Sequence, residues 1–304
     1  MGMDDGSQLD HLALRGVLRK AEPMARHVSW RAGGAARTFY QPADVADLCN
    51  FLRCLPPAEP LLFVGLGSNL LVRDGGFAGT VVFTHHALIG IVVEDAGFRA
   101  WAGVPMPHLA RFVAKHGGAG AEWMAGVPGT VGGGLAMNAG CYGGEMWRHV
   151  VRVQTVDRAG VLRERTSADY DLGYRHVMAK AGVEEWFVSG LFCFDAGDVR
   201  AAMGRIRELL SKRVATQPLN QPNAGSVFRN PHGDHAARLI ELAGLKGFKV
   251  GGAQVSPRHA NFIVNLGSAC ARDIETLIDL VQAEVLARTG VALVREVRIV
   301  GDLA

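Results

Sequence analysis

The placement of glycine constrains this chain more than any other feature. Of its 39 glycines, many fall into three clusters, at residues 65–79, 117–144 and 244–252. No collagen period and no low-complexity tract accompanies them. Glycine permits turns and close approaches that a Cβ would forbid, so clusters lying between strand-like runs describe backbone that must come near something. The first cluster opens with Gly65-Leu-Gly-Ser-Asn-Leu-Leu-Val72, directly after the short apolar run Leu61–Val64. Its Gly-x-Gly start faintly suggests a dinucleotide turn. Position 70 is Leu where G-x-G-x-x-G needs glycine, and no α/β alternation follows, which argues against a Rossmann fold. A strand-to-turn loop of this composition can still aim successive backbone N–H groups at a phosphate. Gly126-Val-Pro-Gly-Thr-Val-Gly-Gly-Gly134 can do the same on a larger scale. Two such loops could cradle a pyrophosphate; the alternative is a pair of tight turns.

A length of 304 residues exceeds one ordinary hydrophobic core and predicts two or three subdomains. The 32 basic and 29 acidic residues leave a charge of +3, without the basic block that nucleic-acid binding requires. The cysteines are odd in number, at 49, 54, 141, 193 and 270, and lack metal-ligand spacing. They read as reduced thiols of a cytoplasmic protein without a metal site. Met1–Gln8 is acidic and Gly-rich, unlike a signal peptide, and no apolar run is long enough to insert in a membrane. Nothing in the pattern demands an obligate protein partner.

Periodicity predicts a helical patch around Leu9–Leu18, a strand at Thr38–Tyr40, and a helix opened by Pro42. A strand at Leu61–Val64 precedes the first glycine loop. Strands follow at Thr80–Thr84, Ile89–Glu94 and Phe98–Ala102, then a helix from Pro107 to His116. Strands resume at Val150–Val156 and Trp186–Phe194. A helix over 198–212 carries Val199, Met203, Ile206 and Leu210 as its apolar stripe. Pro218 and Pro222 mark a linker and a domain boundary. Beyond them lie a helix near Asp234–Ala243, a strand at Asn261–Leu266, a helix at Asp273–Arg288 stopped by Gly290, and a closing strand, Val291–Val300.

Gly225-Ser226 sets one hydroxyl beside one glycine, a turn that can point a serine into a cavity or simply close a domain. The G-x-S-x-G elbow is not met, since positions 224 and 228 are Ala and Phe. His259 reads as a hydrogen-bonded structural group. Alternation along the last strand puts Glu296 with Val294, Arg298 and Val300 on one face. That carboxylate is either at a solvated edge or buried with a raised pKa. Arg175, after Tyr174 in a loop, is either solvated or a bidentate clamp for a carboxylate.

Taken together, Gly65–Val72, Gly126–Gly133, Asn138-Ala-Gly-Cys-Tyr142, Tyr174-Arg175, Ala224–Pro231, Val255–Asn265 and Glu296-Val-Arg298 resemble one family, the UDP-N-acetylenolpyruvoylglucosamine reductases. The resemblance runs from about Ser29 to Val300. It implies an α+β protein with a two-lobed FAD-binding fold of the vanillyl-alcohol-oxidase (PCMH) type. Residues 1–84 and 85–214 would form the lobes, and residues 215–304 an α+β substrate-binding domain whose last strand returns toward the FAD lobe. NADPH would be the co-substrate, reducing a non-covalently held FAD that passes hydride to the enolpyruvyl group of a UDP-sugar in peptidoglycan synthesis.

By motif match, Ser226 would protonate the enol intermediate, while Arg175 and Glu296 bind and polarise the substrate carboxylate. Gly65, Gly67, Ser68, Asn69, Leu70, Gly126, Pro128, Gly129, Thr130, Gly132, Gly133, Asn138 and Gly140 would hold the cofactor. Tyr142, Arg213, Arg229 and Asn230 would meet the substrate. The chain departs from many relatives at Val177, where they carry serine, and at Thr216, where they carry lysine; Arg213 or Arg229 could replace that phosphate contact. No tyrosine lies between Arg175 and Ser226, as in the short type that lacks a tyrosine-bearing lid. A sugar or lactone oxidase on the same fold, and a flavin-binding module without catalysis, are the alternatives.

Overall fold

The computed structural model describes residues 14–304 and divides into two compact units. Unit one comprises the segment through Arg19, Thr38–Gly65 and Gly79–Val199; unit two comprises Lys20–Arg37, Leu66–Ala78 and Arg200–Ala304. The six helices are α1 (Val45–Cys54), α2 (Met106–Lys115), α3 (Val131–Met137), α4 (Val199–Thr216), α5 (Ala236–Leu242) and α6 (Ala271–Thr289) among the described residues. Part of the expected patch around Leu9–Leu18 lies outside those residues. From Val17 the chain is instead a strand, through Pro23. No helix among the described residues is long and apolar enough to cross a membrane, and all five cysteines are free.

Unit one is built on a five-stranded antiparallel sheet. Its order is Leu162–Arg165, Val150–Asp157, Glu185–Phe192, Gly97–Trp101 and Ile91–Glu94. The glycine-rich helix α3 packs on the central strand Glu185–Phe192. Small residues explain the close fit: a Cβ on Gly190 would lie 3.3 Å from Leu135 of α3 and 2.5 Å from the Phe192 ring. Leu61–Val64 runs parallel to Phe77–Phe83, from Leu61↔Thr80 to Val64↔Phe83, and delivers the chain to Gly65. Tyr40, Phe51, Val82 and Val188 centre an adjoining core that buries one face of α1. A two-strand hairpin, Tyr170–Gly173 with His176–Ala179, turns at Tyr174-Arg175 where the sequence suggested only a loop.

Unit two is a three-stranded antiparallel meander, Lys249–Val250, Ala253–Val255 and Ile263–Asn265, covered by α6. Ile274, Leu277, Ile278, Val281 and Val285 are buried along α6, which ends on Gly290 at φ +73°, as expected. Each such side chain stabilises by about 1.5–3 kcal/mol. Trp30, fully buried, donates its indole N–H to the Ile263 carbonyl at 2.8 Å, and Asn265 returns a bond to the Trp30 carbonyl at 2.9 Å. In α4 the buried residues are Ala202, Ile206 and Leu209. Val199 and Leu210, expected in the stripe, are exposed and half-buried because the helix presents a face rotated by one residue.

The closing strand is shorter than the apolar pattern suggested. Only Arg298–Val300 forms a ladder, parallel to Leu70–Val72. Leu293 and Val297 are buried and Val294 exposed, so the alternation is right. The ladder fails earlier because Gln282 takes the Leu293 carbonyl and Arg295 bridges to Phe228. Arg73, just past Leu70–Val72, grips Glu275 of α6 through Nε and Nη2 at 2.9 and 2.8 Å. Asp74 accepts the first N–H groups of α6, from Ala271 and Arg272, both at 2.9 Å.

The Arg73 guanidinium holds the Glu275 carboxyl below its ordinary value of 4.5. A carboxyl depressed on folding stabilises above the unfolded value, and that stabilisation disappears as pH falls through the folded value. Glu275→Gln is therefore expected to cost about 1–2 kcal/mol at pH 7. Denaturation curves of variant and native protein should draw together as pH falls below 4.5 and converge once it has passed the folded value. An undiminished gap at low pH would mean that the glutamine fails by packing rather than by charge.

Candidate functional site

In unit one the second glycine loop is stapled to the segment Ala102–Met106. Met106 N–H donates to Gly129 O at 2.9 Å, Val131 N–H to Val104 O at 2.8 Å and Gly132 N–H to Ala102 O at 2.9 Å. Thr130, buried, caps α3: its Oγ1 accepts the Gly133 N–H at 3.4 Å. The first amides of α3 are thus engaged within the protein, and the expectation that this loop offers them to a phosphate does not hold for residues 131–134. Its glycines, and Gly65 packed against Thr130, supply clearance. A Cβ on Gly65 would lie 2.2 Å from Thr130 Oγ1, on Gly126 2.6 Å from the Tyr142 ring, and on Gly132 2.9 Å from the Ala102 Cβ. Gly133 differs: it is exposed, and a Cβ there would meet only Thr130 Oγ1, at 3.7 Å. Pro128 is exposed as well.

Asn138 ties this region together. It ends α3 in the left-handed conformation, φ +42°, which asparagine tolerates better than most residues. Its Nδ2 donates to Glu145 Oε1 at 2.8 Å and to the Gly173 carbonyl at 3.0 Å, while its Oδ1 accepts the Trp147 N–H at 3.2 Å. Arg175, at the hairpin turn, also has positive φ, +54°, as does Tyr142, +52°. The Arg175 guanidinium donates to Asn138 O at 3.3 Å and Gly140 O at 2.6 Å, and lies 4.9 Å from the Tyr174 ring centroid. Three non-glycine residues in left-handed backbone, with the Arg175 guanidinium tying its own turn to Asn138 and to Gly140 two residues before Tyr142, form a strained cluster of the kind found at functional sites. The nearby Trp123 indole N–H is buried without an acceptor among the described residues, a donor that a bound polar group would satisfy.

The first glycine loop, from Leu66 onward, belongs to unit two. Among the described residues none accepts from the backbone amides of Leu66, Gly67, Ser68 or Asn69, whereas Ser29 and Arg298 hold the carbonyls of Gly67 and Asn69. Successive unengaged amides are what an anion-binding loop requires. Gly67 is also obligatory for space, because a Cβ would lie 2.3 Å from the His27 carbonyl. Leu70 is buried in the ladder opposite Arg298.

Ser226 and Glu296 are both half-buried, on backbone segments bonded to one another: Glu296 N–H donates to Val227 O at 2.8 Å and Arg229 N–H to Val294 O at 2.9 Å. On the other side Asn261, buried, brackets Phe228, with Oδ1 accepting its N–H at 3.0 Å and Nδ2 donating to its carbonyl at 2.8 Å. Gly225 has φ +72° and open space at its Cβ position, so it is needed for backbone conformation and not for clearance. Arg229 Nε is buried with no acceptor among the described residues. Arg213 Nε donates to Gln217 at 3.0 Å, and the exposed Asn230 accepts the Ala236 N–H at 3.1 Å. His259 accepts the Asn261 N–H on Nδ1 at 3.3 Å, and burial lowers its pKa. Asn261 and the Asn138–Glu145 bond were not assigned from sequence; an asparagine beside each motif was the available signal.

A family model described as an FAD binding domain matches residues 36–165. The unengaged loop amides of residues 66–69 suit the diphosphate of such a ligand, and the chain is an FAD-dependent oxidoreductase of the α+β class. A second model, the C-terminal domain of UDP-N-acetylenolpyruvoylglucosamine reductase, matches residues 217–300. The reductase of that name from Thiobacillus denitrificans is 55% identical over 303 residues, 95% of this chain and 94% of the relative. That from Alkalilimnicola ehrlichii is 57% identical, over 94% of this chain and 96% of the relative. The crystal structure of the Thermus caldophilus reductase superposes with a TM-score of 0.79 at 29% identity, covering 94% of this chain and 98% of that one. This chain belongs to the UDP-N-acetylenolpyruvoylglucosamine reductase family.

The two helix glycines separate clearance from ligand space. Gly132→Val should destabilise unit one, since its side chain meets Ala102. Gly133→Val should leave the folded protein intact and weaken FAD binding about tenfold or more. Flavin absorbance per protein, with thermal unfolding of flavin-free samples, checks both; equal destabilisation by the two would remove the distinction.

Proposed function

We propose that this chain reduces the enolpyruvyl double bond of UDP-N-acetylenolpyruvoylglucosamine with electrons from NADPH, giving UDP-N-acetylmuramate for peptidoglycan, in the cytoplasm. The observation that carries the reading is the backbone bond from Glu296 N–H to the carbonyl of Val227, the residue next to Ser226, which supports bringing together two groups that the chemistry needs. When bound, FAD accepts hydride from NADPH and supplies it to the enol ether. The amides of residues 66–69 would hold its diphosphate, and Gly65, Gly126, Pro128, Gly129, Thr130, Gly132, Gly133, Asn138 and Gly140 are the further residues assigned to the cofactor. Residues 1–84 and 85–214 would then serve the cofactor and residues 215–304 the substrate.

Reduction of the double bond leaves negative charge beside the carboxylate, which needs an electrostatic sink and a proton. Arg175 supplies fixed positive charge. Its guanidinium is aimed by the Asn138 and Gly140 carbonyls, so little reorganisation is required when charge develops. Ser226 gives its hydroxyl proton to the carbon alpha to the carboxylate. Glu296 controls charge at that carboxylate. Arg229, with its buried and unaccepted Nε, binds the UDP diphosphate together with Arg213, Asn230 and Tyr142.

Splitting the reaction tests the donor. Ser226→Ala should leave flavin reduction by NADPH nearly intact and slow flavin reoxidation by the UDP-sugar about 10²–10⁴-fold in stopped flow. Turnover in deuterated water should label the carbon alpha to the carboxylate. A native reoxidation rate would make Ser226 a turn residue and nothing more. Arg229→Ala should raise KM for the UDP-sugar about tenfold beyond any change for NADPH; equal changes would count against a dedicated diphosphate contact.

A further inference from the structure

We infer that Asn69 is a positioning residue for Glu296, acting through a β-bulge at Glu296-Val297; the inference rests on the role proposed for Glu296. The Val227 carbonyl receives two consecutive amides, Glu296 N–H at 2.8 Å and Val297 N–H at 3.4 Å. Two residues facing one are the mark of a bulge, which interrupts the ladder and re-aims a side chain. The bulge lies on the side that meets Val227, next to the antiparallel bridge between Phe228 and Arg295, and just ahead of Arg298, where parallel pairing with Leu70–Val72 begins.

A bulge leaves backbone groups without ladder partners, and Asn69 supplies them. Its Nδ2 donates to the Glu296 carbonyl at 3.0 Å, and its own carbonyl accepts the Arg298 N–H at 2.9 Å. One asparagine therefore spans Val297, gripping the groups on either side of it. Glu296 is fixed at both backbone positions, its N–H by Val227 and its C=O by Asn69. The side chain of Asn69 is thus committed to Glu296, while its backbone N–H stays with the row of unengaged loop amides. Asparagine suits the position because its short amide imitates a backbone donor. Alanine removes the donor, and an ionised aspartate would set an acceptor against the Glu296 carbonyl.

The holoenzyme tests this through its two half-reactions. Asn69→Ala should slow flavin reoxidation by the UDP-sugar at least about tenfold more than it slows flavin reduction by NADPH. In a double-mutant cycle with Glu296→Gln, adding Asn69→Ala should cost less than about twofold further, because both changes act on one group. Asn69→Ser, which keeps a donor, should retain more of the reoxidation rate, and it carries the same comparison if the alanine variant does not hold FAD. Equal slowing of both half-reactions, or full additivity with Glu296→Gln, would make Asn69 a structural residue and overturn the inference. A native reoxidation rate for Glu296→Gln alone would overturn the role of Glu296 and this inference with it. Slowing by Glu296→Gln without any selective effect of Asn69→Ala would overturn only the latter.

Discussion

The parallel pairing of Leu70–Val72 with Arg298–Val300 brings together segments separated by more than two hundred residues. A contact of such sequence separation has to overcome loop-closure entropy, so its surroundings must add stability. They do so in three ways. Leu71 and Val72 are fully buried, Arg73 grips Glu275 bidentately, and Asp74 caps α6. Asn69 sits immediately before one paired strand and Glu296 two residues before the other. Their meeting is a consequence of that register, and a slip of one residue would separate them.

Unit one depends on a different constraint. Its glycine-rich loop is held by backbone bonds to Ala102–Met106, and its later turn is held by Asn138. Left-handed backbone at Asn138, Tyr142 and Arg175 is unfavourable for side-chain-bearing residues, so the surrounding bonds must over-determine it. Arg175 both answers and uses that strain. It satisfies two carbonyls of the turn and is thereby aimed itself. Rigid presentation of a cation is what charge stabilisation in a reaction demands, since a group that must reorient loses much of its benefit.

Much of the fold was legible because burial follows periodicity. α6 and its Gly290 stop, α2, and four strands of the five-stranded sheet lie within a few residues of where their apolar spacing put them, while the mostly exposed edge strand Leu162–Arg165 was not foreseen. The misses have physical causes. Val17–Pro23 is mostly exposed and carries no alternating signal. The hairpin around Arg175 is half-exposed on both strands. α4 is weakly amphipathic, so its buried face could be misjudged by one position. The last strand reads as ten extended residues, although a bulge, the Gln282 side chain on the Leu293 carbonyl and a backbone bridge to Phe228 interrupt it and leave a ladder of three.

By itself the sequence determined the family, the flavin cofactor and the candidate side chains, because motif order and glycine spacing are properties of the linear chain. It could not reveal which hydrogen-bonding groups the fold would use and which it would leave over. The amides of residues 131–134 were equal candidates with those of residues 66–69 until their acceptors were known. The side chain of Asn69 could be assigned to a ligand until the Glu296 carbonyl was found 3.0 Å away. Those outcomes belong to tertiary structure alone. A donor is available only when no acceptor folds against it, and the acceptor that engages Asn69 lies 227 residues along the chain.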